Sequence, residues 1–130
     1  MALLSGSALL APTAVARDRT PPVFAGLRSA TTCIPGPVGD GRRGVYHLRW
    51  QAAHDNRTPQ RRIVYDIYQA TWPGGESFAD PTYQTRPGAT SFATLPLPST
   101  TSFYFVVRAR DFAGNRDHNR REQRGTNLCL

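Results

Sequence analysis

The chain contains no lysine, a single methionine and only two cysteines among 130 residues. Its 16 basic residues are therefore all arginine, and the formal net charge is +7. Exclusive arginine usage fits GC-rich coding and is not read as a signature of phosphate recognition. The positive charge itself favours acidic partners or surfaces through a long-range attraction that salt screens. Cys33 and Cys129 stand too far apart for a local metal knuckle and suit one disulfide in an oxidising compartment. There is no GxSxG elbow, no HExxH, no phosphate-cradling loop and no CxxC. No catalysis, cofactor or metal is expected. A long stretch of helical periodicity is missing as well.

What is present is punctuation. Eleven prolines and eleven glycines separate alternating apolar segments, the pattern of many short strands joined by turns, so the class is all-β. The length gives room for one domain. Residues 1–16 are small and apolar and end in Ala14, Val15 and Ala16, a small-x-small pattern before a signal-peptidase cut. This segment is a signal-peptide-like run or a disordered tail, too short and too interrupted for a stable membrane span. Residues 17–22 read as a linker, and residues 23–130 as the domain.

The clearest strand lies within Ser102 to Asp117. Phe103, Phe105, Val107 and Ala109 fall on one face and Tyr104, Val106, Arg108 and Arg110 on the other, the period of two expected of a half-buried strand. Asp111 then opens a turn in which Gly114 and Asn115 can take left-handed backbone, with Asp111 read as an Asx-turn residue. Further strands are predicted over Val23 to Cys33, with Gly26 allowing a bulge, over Val45 to Ala53, with Trp50 inward, and over Ile63 to Thr71, with Tyr65 and Ile67 inward. The remainder fall around Thr82 to Arg86, over Thr90 to Leu97 and over Asn119 to Leu130. Seven strands at short spacing imply two packed antiparallel sheets.

The order PPVFAGL, LRW, YDIY, PGATSF and LPSTTSFYFVVRARDFAGN resembles a fibronectin type III domain over roughly residues 21 to 118. Trp50 matches that family's core tryptophan, Tyr65 and Ile67 its third-strand positions, and Leu97, Thr101, Phe103, Val107 and Ala109 its sixth-strand signature. Phe103 departs from the family, which usually has Tyr there, so the tyrosine-corner hydrogen bond is lost unless Tyr104 supplies it. The resemblance implies a seven-stranded antiparallel immunoglobulin-like β-sandwich, with Cys33 and Cys129 meeting at one pole. It also implies a binding or spacer module, secreted or on the cell surface, monomeric and without a membrane span once processed.

In that frame Arg57, Arg61 and Arg62 join Arg116, Arg120 and Arg121 at one pole, the leading candidate for an acidic partner. Arg42 and Arg43 fall at the opposite pole, which argues against one continuous nucleic-acid groove. Arg108 and Arg110 are expected to face outward beside Tyr104 as surface groups. Trp72, beside Pro-Gly-Gly, with Tyr83 supports the alternative of a carbohydrate-binding module, and a protein or a polysaccharide at the cell surface is the expected partner. His54, Asp55 and His118, with Asp111 and Asp117 nearby, are the nearest approach to a catalytic or metal-binding set. As exposed loop residues they read more simply as turn formers and solvated groups.

Overall fold

The computed structural model describes residues 16–37 and 41–129, so the signal-peptide-like segment, Ala16 apart, lies outside the described residues. Apart from a single 3-10 turn at Gln60–Arg62, the regular structure is strand. In chain order the strands are β1 (Leu27–Thr32), β2 (Arg43–Gly44), β3 (His47–Trp50), β4 (Val64–Ala70) and β5 (Tyr83–Gln84). They continue with β6 (Ser91–Ala93), β7 (Leu97–Pro98), β8 (Tyr104–Arg110), β9 (Gln123–Arg124) and β10 (Thr126–Asn127). One four-stranded sheet runs β10-β1-β3-β6, a second runs β5-β4-β8-β9, and β2 with β7 makes a separate ribbon.

The two larger sheets enclose one apolar core, and the alternation in the sequence decides which residues fill it. Leu27, Ala30, Leu48 and Trp50 come from one sheet, and Tyr65, Ile67, Phe105, Val107 and Ala109 from the other. The Trp50 and Tyr65 rings lie 5.1 Å apart, and Tyr46 stands 5.6 Å from Phe105. Their polar ends are satisfied. Trp50 Nε1 donates to the Ala89 carbonyl at 3.0 Å, and Tyr65 Oη accepts from the Ala53 amide at 2.8 Å. Each large side chain so buried stabilises the fold by roughly 1.5–3 kcal/mol relative to exposure. Phe103 is buried and packs 5.9 Å from Tyr46, so the apolar part of the departing position is filled.

The outer face of the second sheet departs from expectation. Arg108 is 7% exposed and Tyr68 and Val106 1% each, where the alternation predicts a solvated surface. The connection from Thr71 to Thr82 brings Phe78 over this face, 5.0 Å from the Tyr68 ring and 3.6 Å beneath the Arg108 guanidinium. Arg108 Nε also donates to the Asn119 carbonyl, and burial lowers the guanidinium pKa. Cation–π stacking and this hydrogen bond make the burial of a charged side chain tolerable.

The segment predicted as one last strand is divided. At Asp117 the amide still donates to the Ala109 carbonyl, but the return bond runs from the Ala109 amide to the Asp117 carboxylate, and at Asn119 the side-chain Nδ2 donates to the Val107 carbonyl. β9 then pairs antiparallel with β8, and β10 crosses to pair parallel with β1, so the sheets are not wholly antiparallel as expected. Gly125 sits at the crossing, where a Cβ would lie 2.3 Å from the Tyr46 ring and no larger residue fits. Because β1 and the chain end run the same way, Cys33 and Cys129 are left side by side as an exposed disulfide, with Cα atoms 4.8 Å apart.

Candidate functional site

The strand registers define two poles. β4 begins where β8 ends, with Val64 opposite Arg110, and this end carries the 51–63 connection, the 111–116 turn and the approach to β1. Asp111 builds the turn as the sequence indicates. Its Oδ1 accepts from the Asn115 amide at 2.8 Å, its Oδ2 accepts from Asn115 Nδ2 at 2.9 Å, and Gly114 takes φ +91°. Asn115 itself does not enter the left-handed region. Across the pole, Asp55 Oδ2 accepts from the Arg57 and Thr58 amides, and Thr58 Oγ1 accepts from the Phe112 amide at 3.0 Å, tying the two loops together.

Arg57, Arg61 and Arg62 are all exposed on this end. Arg57 donates from Nη1 to the Ala16 carbonyl at 2.8 Å, whereas the guanidinium groups of Arg61 and Arg62 have no hydrogen bond or ion pair among the described residues. An open cavity of about 290 Å³ lies between the loops, with Arg57, Arg62, Pro59, Asp18 and Phe112 in its wall. Phe112 is 79% exposed, an aromatic beside the basic group that the sequence reading did not single out. The adjacency of Phe112 to the Asp111 turn was its only signal.

Arg116 is not part of the free basic group. Its Nε donates to Oδ2 of the fully buried Asp66 at 2.8 Å, and Arg110 Nε donates to the same oxygen at 3.1 Å. Arg120 lies with its guanidinium 5.8 Å from the Phe78 ring, and Arg121 packs against Gly26. Arg57, Arg61 and Arg62 thus share this end, whereas Arg116, Arg120 and Arg121 are engaged with Asp66, the Phe78 ring and the backbone at Gly26.

Trp72 is 62% exposed and follows the far end of β4, where Ala70 pairs with Tyr104, so it stands apart from the basic pole. Its indole lies against Gly75 within its own turn. Tyr83 is half-buried, its ring 5.0 Å from Phe92 and packed against the core. His54 contacts Gln60, and Asp55 is engaged in its own loop. A carboxylate group of Asp18, Asp55 and Asp111 does form, with one oxygen from each within 4.8 Å of the others. The sequence reading placed Asp55 and Asp111 near His54 and His118, and missed Asp18 because it lies in the linker.

The chain matches no family model, and neither a curated protein nor a solved structure matches it. What the fold and the site define is an all-β protein with a disulfide between Cys33 and Cys129 and no helix among the described residues long and apolar enough to cross a membrane.

Proposed function

We propose that the protein is a fibronectin type III-like sandwich acting as a non-catalytic extracytoplasmic binding module, which engages an acidic partner through the pole of Arg57, Arg61 and Arg62. The sheet orders β10-β1-β3-β6 and β5-β4-β8-β9, with Trp50 and Tyr65 in the core, support the fold assignment. The exposed disulfide favours an oxidising compartment, where such bonds persist. The observation that carries the partner class is the contrast among the arginines. Arg110 and Arg116 neutralise Asp66, while Arg61 and Arg62 stand exposed without a counterion among the described residues. Fully hydrated guanidinium groups of this kind bind carboxylate, sulfate or phosphate with an affinity set largely by charge.

The Trp72 exposure favours a second reading, a neutral glycan stacked on the indole. Only the acidic-partner reading requires affinity to fall as salt rises. Titrating the purified domain with heparin and with a neutral polysaccharide at two salt concentrations separates the two readings: salt-sensitive heparin binding supports the basic pole, and salt-insensitive glycan binding with tryptophan quenching supports Trp72.

A further inference from the structure

We propose an oxyanion site in the seam between the two larger sheets, where β1 passes β9, with Arg28 and Arg121 as the residues that hold a doubly charged phosphate or sulfate group. A cavity of about 320 Å³ opens at this seam, and the polar side chains of its wall are Arg28, Arg121, Gln51 and Gln123. No carboxylate stands among the residues that line it.

The local structure directs these groups to the seam. Leu27 pairs with Trp50 and Ser29 with Arg49, so Arg28 is the extra residue of a β-bulge, which turns its side chain out of the regular alternation. Leu27 before it is fully buried, whereas Arg28 is exposed. Gly26 takes φ +86°, and a Cβ there would stand 3.1 Å from Cβ of Arg121, so only glycine lets the Arg121 stem lie against the approach to β1. The Arg121 amide donates to Asn119 Oδ1 at 3.0 Å, which sets the backbone from which that side chain leaves. Gln123 Nε2 donates to the Leu27 carbonyl at 3.2 Å and joins the two sheets beside the cavity.

The charges bordering the cavity are uncompensated. Neither the Arg28 nor the Arg121 guanidinium has a hydrogen bond or ion pair among the described residues, and the ion pairs present belong to Asp66. Glu122, between Arg121 and Gln123 in sequence, accepts instead from the Gly74 amide. Two cations on one cavity raise its affinity for an anion above that of either alone, and the second charge favours a dianion over a monoanion. A guanidinium presents its donors in a fork that fits two oxygens of such a group. The Gln51 carboxamide adds neutral donors to the wall. Both arginines are exposed, so water and salt weaken the attraction, and a Kd on the order of 1–10 mM is expected for the free ion. The inference does not rest on the acidic-partner reading, because the cavity and its arginines are distinct from those of the Arg57, Arg61 and Arg62 pole.

The test is an NMR titration of the ¹⁵N-labelled full chain at pH 7.5 and constant ionic strength, with sodium sulfate, sodium phosphate or sodium acetate added and the arginine Nε–Hε signals followed. Sulfate and phosphate are expected to shift the Arg28 and Arg121 signals saturably, with acetate binding at least about tenfold more weakly. Arg28→Ser and Arg121→Ser should each weaken sulfate binding by about tenfold, while the Arg57→Ser, Arg61→Ser, Arg62→Ser variant leaves it unchanged. Both substituted side chains are exposed, and the backbone amide spectrum verifies that each variant keeps the fold. Saturation by only one of the two dianions, if it depends on Arg28 and Arg121, supports the site and identifies its ligand group. Shifts that do not saturate, an equal response to acetate, or undiminished binding in Arg28→Ser or Arg121→Ser would overturn the inference. Loss of binding in the triple variant would overturn it as well, by moving the bound anion to the pole.

Discussion

Arg116 Nε lies 2.8 Å from Oδ2 of Asp66, a carboxylate that is fully buried in the middle of β4. The contact joins the turn after β8 to the outer face of the sheet and removes Arg116 from the surface chemistry of the pole. Truncating one partner of a buried pair leaves the other uncompensated, which typically costs 3–5 kcal/mol. Arg110 remains on the same oxygen, so Arg116→Ala is expected to destabilise the fold by about 2 kcal/mol. Urea unfolding measures this, and polyanion affinity should change far less than it does on mutating Arg61 or Arg62.

The disulfide closes a separation of 96 residues and holds the end of a strand that contributes only β9 and β10 to the sheets. On the chain-entropy view a loop of this length corresponds to roughly 4 to 5 kcal/mol, with measured values often lower. Cys33→Ser with Cys129→Ser is expected to lower unfolding stability by about 2–4 kcal/mol. A free-thiol assay on the denatured, unreduced protein should find no thiol.

Glu76 belongs to the connection that covers the outer face, and its carboxyl is pushed up to about 7 by burial and by its hydrogen bond with Glu122. Glu122 in turn accepts from the Gly74 amide at 2.7 Å, which fastens the connection to the segment before β9. A raised carboxyl pKa means the folded state binds the proton more tightly than the unfolded state. Its contribution is therefore complete below about pH 4.5 and lost as pH rises through about 7. The pair is partly exposed, so the effect is discounted to about 1–2 kcal/mol. Glu76→Gln should flatten the decline of stability between pH 5 and pH 8, as read by chemical unfolding across that range.

Much of the core was legible because β-strand alternation is local. Phe105, Val107 and Ala109 point inward with Trp50 and Ile67, and each reads correctly from its neighbours two positions away. The outer face was not legible in the same way. Arg108 and Tyr68 occupy positions where a solvated sheet surface carries such residues, and their burial depends on Phe78, ten residues beyond Tyr68 and thirty before Arg108. Periodicity carries no information about which loop folds over a sheet. The divided last strand escaped for a related reason, since the Asp117 carboxylate and the Asn119 amide group supply part of the pairing to β8 that backbone groups would otherwise make. At the pole, charge alone could not distinguish Arg116 from Arg61, because the partner that separates them, Asp66, lies fifty residues earlier on β4.

The most direct test of the proposed role is heparin affinity of the wild-type domain and of an Arg57→Ser, Arg61→Ser, Arg62→Ser variant, measured at low and at physiological salt. Removal of three phosphate- or sulfate-directed charges is expected to weaken binding by about a hundredfold at low salt, and to reduce the slope of log affinity against log salt by about two to three. An unchanged affinity and salt slope in the variant, with its fold intact, would contradict the acidic-partner role of this pole.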